Sequence, residues 1–143
     1  MRMQAKRWTN EYRTTLICID RYENRVPEGR FYNPHYSEGV RFYGVIDLLV
    51  KLDRMLDEMQ FPIPYTTVRS FANVPPLEAE LMDKEECREG NVATLAVRIL
   101  FRQNTSWQGS MVWIEGNREE SFRSVLEFLF LLDSAASAEA DRQ

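Results

Sequence analysis

The sequence predicts an α+β, two-layer fold in which two internally duplicated β-β-α units form a four-stranded antiparallel sheet with both helices on one face. Three observations lead there. Shifting the chain against itself by 80 positions lays Arg13–Met55 over Ala93–Ala135 and matches nine of those 43 pairs identically, among them Gly29 with Gly109, Phe42 with Phe122 and Asp53 with Asp133. Residues 93–102 alternate between two faces, with Leu95, Val97, Ile99 and Phe101 on one side and Ala96, Arg98, Leu100 and Arg102 on the other. Phe122, Val125, Leu126, Leu129 and Leu132 recur at the i, i+3, i+4 spacing of an amphipathic helix, and Phe42, Val45, Ile46, Leu49 and Leu52 do so in the other copy.

In chain order, the first unit (13–59) reads as strands near Thr14–Arg21 and Gly29–Tyr32, followed by a helix near Arg41–Met59. A connector (60–92) follows. Its Pro62, Pro64, Pro75 and Pro76 forbid a long regular element, although Thr66–Phe71 suits a short edge strand. The second unit (93–136) opens with the alternating strand, breaks at the polar Gln103–Ser106, and resumes as an aromatic and β-branched strand over Trp107–Glu115. Gly116 and Asn117 end that strand, and Ser121 is placed to cap a helix running to Ala136.

A chain of 143 residues fits one domain spanning 1–143, and burying roughly two-thirds of its unfolded surface needs no metal or cross-link. Cys18 and Cys87 make no disulfide framework, which suits a reduced compartment. Met1–Trp8 carries Arg2, Lys6 and Arg7, but no apolar core of a leader follows. No stretch approaches the roughly 18 apolar residues of a spanning helix. A cytoplasmic location is therefore expected, with no membrane partner. The net charge of −4 resides in the connector: Leu77–Gly90 holds six acids and two bases, which leaves 16 of each elsewhere.

The pleat places Trp107, Met111, Trp113, Phe31, Ile17, Val97 and Ile99 under the helices. Leu16, Cys18, Tyr32, Leu100, Val112 and Ile114 then face outward among Asp20, Arg30, Arg98 and Arg102. An outer face so apolar is expected to be covered by a partner, so Leu16, Tyr32, Arg98, Leu100, Val112 and Ile114 are the candidate interface. The partner is another protein or a second copy of the chain.

Chemistry is sparse. The single histidine, His35, sits in the loop Asn33-Pro34-His35-Tyr36-Ser37-Glu38, where it reads as a surface residue; as an enzyme it would serve as a general base on Ser37 or a substrate. A lone histidine builds no zinc site, the glycines form no phosphate loop, and neither cysteine lies where a thiolate is favoured. No catalytic residue, cofactor or metal is therefore assigned. Arg98, Arg102, Arg30 and Tyr32 offer a cationic, aromatic surface to a nucleotide or nucleic acid, but the neutral body lacks the basic footprint of such proteins.

Two family resemblances arise. Asn104, Ser106 and Gly109, with Arg98 and Arg102 close by, resemble the N-x-S-x-x-G and arginine motifs of PilZ domains, which bind cyclic di-GMP. In those domains the arginines lie in a separate, earlier segment, and a hairpin turn accounts for Asn and Gly without a ligand. Trp107-Gln108-Gly109 leading into Phe122-Arg123-Ser124-Val125-Leu126-Glu127 resembles small bacterial proteins built on one such W-x-G, F-x-S-x-x-E unit. That resemblance spans about 30 residues and implies no particular activity.

Overall fold

The structure is a computed structural model that describes residues 14–60, 89–103 and 106–141. It is α+β: strands β1 (Thr14–Glu23), β2 (Val26–Tyr32) and β3 (Val40–Tyr43) precede helix α1 (Val45–Met59), then β4 (Ala93–Gln103), β5 (Ser106–Trp113) and β6 (Arg118–Phe122) precede helix α2 (Val125–Asp141). The six strands form one antiparallel sheet in the order β3-β2-β1-β4-β5-β6.

The expected four-stranded sheet of β-β-α units is therefore corrected to six strands, three per unit. The missing strands, β3 and β6, hide at the starts of the expected helices. Phe42 and Phe122 satisfy the helical spacing by coincidence, but each is a strand residue paired with a glycine, Gly29 with Phe42 and Gly109 with Phe122. Gly44, at φ 92°, ends β3 before α1 begins. Ser121 likewise lies in β6. Ser124 is the residue whose hydroxyl accepts from the Glu127 amide, while Glu127 accepts from the Arg123 amide. Asp47 accepts from the Tyr43 amide in the same way at α1. The connector strand Thr66–Phe71 and most of the acidic segment lie outside the described residues.

The register repeats at the offset of 80. Ile19 pairs with Gly29 and Ile99 with Gly109, and an extra residue follows each, Asp20 and Leu100. Between the units, Leu16 opposes its own counterpart Ala96, Cys18 opposes Thr94, and Thr14 opposes Arg98. A local two-fold axis thus passes between Leu16 and Ala96.

One face of the sheet makes the core with both helices. Ile17, Ile19, Phe31, Phe42, Leu95, Val97, Ile99, Trp107, Met111 and Phe122 pack with Leu48, Leu52, Met55 and Leu56 of α1 and Phe128, Leu132, Ala135 and Ala136 of α2. Phe128 meets Trp107 and Phe122 edge to face at 5.5 and 5.4 Å. Trp107 and Met111 lie inside as expected, with Trp113 half-buried against the same core.

Each unit is also tied to the other's helix. Arg102 of β4 donates to Asp53 (3.1 Å) and Asp57 (2.9 Å) of α1, and Trp107 Nε1 reaches Asp53 at 3.3 Å. At the equivalent place Tyr22 of β1 donates to Asp133 of α2 at 2.5 Å. Burial first, and then this bond, push the Tyr22 phenol from 10.0 up to about 12, while the same bond holds Asp133 below its ordinary 3.8. The phenol must keep its proton to donate, so its contribution is complete below pH 10.0 and is lost as pH rises toward about 12. Asp133 contributes above its ordinary value and loses that contribution as pH falls through the depressed one. Tyr22→Phe should therefore flatten the alkaline limb of a stability-against-pH curve. Parallel limbs for variant and parent between pH 10.0 and about 12 would sink this account.

Candidate functional site

With both helices on one face, the other face of the sheet carries the side chains of the opposite pleat. Cross-strand pairing sorts them into rows. Tyr32, Leu16, Ala96 and Val112 make one row over four central strands, centred on the local two-fold. Arg41, Arg30, Cys18 and Thr94 make the row on one side, and Thr14, Arg98, Ser110 and Ser121 the row on the other.

Of the candidate interface, Leu16, Tyr32 and Val112 thus come together, with Arg98 in the adjoining row. Leu16, Val112 and Arg98 are half-buried, whereas Tyr32 and Cys18 are buried and pack with Leu16. The other two stand apart. Leu100 occupies the bulge, while Ile114 lies beyond β5 with its amide on the Thr94 carbonyl, six residues away along β4. At the usual rise those ends are about 20 Å apart, so the six residues form a central row and two separate rims.

Polar groups frame the row. Arg30 pairs with Asp20, donates to the Tyr32 hydroxyl at 2.8 Å and to the Glu89 carbonyl at 3.1 Å, and lies over the Tyr32 ring. The Asp20 bond is the main reason the Arg30 pKa is raised. Thr94 gives its hydroxyl proton to Glu115 at 2.6 Å and accepts from the Gly90 amide. Arg41 stands on the β3 side and Glu119 on the β6 side, both exposed.

Arg102 is a correction. The extra residue at Leu100 reverses the alternation, so Phe101 turns outward and Arg102 turns inward to Asp53 and Asp57. Arg98 and Arg102 therefore lie on opposite faces and present no joint cationic surface to a nucleotide.

His35 is a second correction, being buried where a surface residue was expected. The Asn33 carboxamide accepts its backbone amide, and its Nε2 lies 3.0 Å from Glu58 of α1. The Tyr36 hydroxyl donates to the same Glu58 oxygen at 2.8 Å. Burial and then that bond push the Tyr36 phenol above the usual tyrosine range. His35 Nδ1 is buried without a hydrogen-bond partner. An imidazole held by a carboxylate has the form of a general base, but its remaining nitrogen meets no hydroxyl to activate, so no reaction step follows from it. Glu58 went unforeseen because it lies 23 residues from His35 with no local pattern joining them.

Among the described residues, no cluster of His, Cys, Asp and Glu could hold a metal ion, and no helix is long and apolar enough to cross a membrane. Comparison of the chain with family models, with curated proteins and with solved structures gives no match.

Proposed function

We propose that the protein is an interaction module without enzymatic activity that associates through its outer sheet face, a second copy of the chain being the partner. The observation that carries this is the half-buried row Leu16, Ala96 and Val112, beside the buried Tyr32, crossing the local two-fold on the face opposite both helices. Charge supports the same partner. Arg41 lies toward the β3 edge and Glu119 toward the β6 edge, so a copy turned about a two-fold parallel to the strands sets each Arg41 edge against a Glu119 edge.

Light scattering tests it. The parent should run near twice 16.9 kDa, and Leu100→Asp with Val112→Asp should return it to monomer with an unchanged circular dichroism spectrum. A parent that is monomeric throughout, or a dimer indifferent to both substitutions, refutes the outer-face reading.

A second surface has its own observation. Ile46 and Val50 of α1 and Leu126 and Phe130 of α2 stand exposed at equivalent positions, Ile46 at 77% and Phe130 at 62%. Ile46→Asp with Phe130→Asp is the matching variant, and loss of association there alone transfers the interface to the helices.

A further inference from the structure

The two units differ most where the connection from the second to the third strand meets the helix. In the first unit, seven residues (33–39) make that connection, and they fold onto α1 with Tyr36 hydrogen-bonded to Glu58 and close enough to Arg54 to feel its charge. In the second unit a four-residue turn (114–117) replaces them, and Ala138 stands where Glu58 would be. Among the described residues, no segment fills the space. A cavity of about 160 Å³ opens there, lined by Met111, Trp113, Arg118, Glu120, Leu131, Ser134 and Ala135.

Its polar groups are specific. Arg118 and Glu120 alternate with Phe122 on the helix side of the edge strand β6, and their charged ends are 3.6 Å apart. Trp113 Nε1 is buried with no hydrogen-bond partner, an uncommon and costly state for an indole N–H. The turn explains the ring's placement. Gly116 lets the benzo edge of the indole lie directly against it, which leaves Nε1 on the opposite edge, away from the turn.

We propose that this cavity binds a small zwitterion with an apolar body, a free α-amino acid bearing an aromatic or branched side chain. The side chain lies against Met111, Leu131 and Ala135. An apolar cavity of about this size holds benzene, so a group as large as benzyl fits. The α-carboxylate takes Arg118 and the α-ammonium takes Glu120 at the mouth, with the Trp113 ring as part of the wall. An anion alone would meet Glu120 and a cation alone would meet Arg118, so only a ligand carrying both charges satisfies the pair.

The test is a titration of the full chain with L-phenylalanine, read at the Trp113 indole N–H by ¹⁵N NMR and assigned with Trp113→Phe. A saturable shift is expected. Phenylpropanoate, which lacks the ammonium, and phenethylamine, which lacks the carboxylate, should each bind about tenfold more weakly, the scale of one lost charge-assisted hydrogen bond. Ala135→Leu, which fills the cavity, should abolish the shift. Arg118→Gln and Glu120→Gln alter only exposed side chains at the mouth, so they test the site even if Ala135→Leu fails to fold, and each should weaken binding to the same degree. An indole N–H that does not move, equal affinity for all three compounds, or binding that survives the two mouth substitutions unchanged overturns the proposal.

Discussion

Replacing Asp53 and Asp57 together by alanine is expected to lower the unfolding free energy by about 3 kcal/mol, the scale on which removing the partners of a buried charge destabilises a fold. The Arg102 side chain is 4% exposed, whereas Asp53 and Asp57 are 50% and 59% exposed. The two sides of the tie are therefore unequal. Removing the carboxylates takes two charged acceptors from a guanidinium buried in the sheet, and also takes the acceptor from Trp107 Nε1. Removing the guanidinium instead leaves two carboxylates that water already reaches. Arg102→Met, which keeps the length of the side chain and deletes its charge, should consequently cost clearly less than the double aspartate variant. Urea unfolding of both variants checks the order. A costlier Arg102→Met would mean that Arg102 stabilises mainly through packing of its stem. The tie joins β4 of one unit to α1 of the other, so the double variant should also loosen the docking of α1 before the sheet itself unfolds.

Gly109→Ala and Gly29→Ala should each cost about 1–3 kcal/mol, the usual penalty for forcing atoms into a filled space. Both glycines are mid-strand residues and neither has a positive φ. What they avoid is a clash: a Cβ at Gly109 would run into the Arg98 carbonyl, and one at Gly29 into the Cys18 carbonyl. Those carbonyls belong to the residues just before the bulges, where the strand pinches toward its neighbour. Gly44 is the contrast, since its φ of 92° disfavours a side chain although no atom lies within 4 Å. Alanine at Gly44 should therefore cost less, about 1 kcal/mol of backbone strain. If Gly109→Ala proves neutral in thermal unfolding, the close approach of β4 and β5 is not what retains glycine there.

The sequence led to these glycines for a reason the structure replaces. Asn24 and Gly29 both match their counterparts 80 residues on, and both read as turn residues. Asn24 is one, sharing a tight hairpin with Arg25 at φ 54° and 60°. Gly29 lies inside β2, in contact with a carbonyl of the next strand. Identity at the two positions showed that something was required there without showing what. The outer face was read in a similar, partial way. Alternation places Leu16, Tyr32 and Val112 on the outer face, because Leu16 precedes the bulge of β1 and Tyr32 and Val112 lie in unbroken runs, but it does not reveal that Tyr32 is buried there. Arg102 was misplaced because one extra residue at Leu100 separates it from the part of β4 whose alternation is regular. The pairing of His35 with Glu58 was beyond reach, since a loop and a helix meet there only through tertiary packing.

By itself the sequence determined the α+β class, the offset of 80, the inward side of β1 and β4 as far as their bulges, and that of β5. These are local properties: alternation and helical spacing are written within a few residues, and a repeat compares one such pattern with another. The tertiary structure decided what depends on two segments meeting. It made strands of Val40–Tyr43 and Arg118–Phe122, whose few residues gain their conformation from hydrogen bonds to β2 and β5. It turned Tyr22 and Arg102 inward through bulges that exist only relative to a partner strand, and it folded the longer of the two equivalent connections onto α1. A periodic pattern specifies which side of an element is apolar, but only the neighbouring strand sets where that pattern slips by one residue.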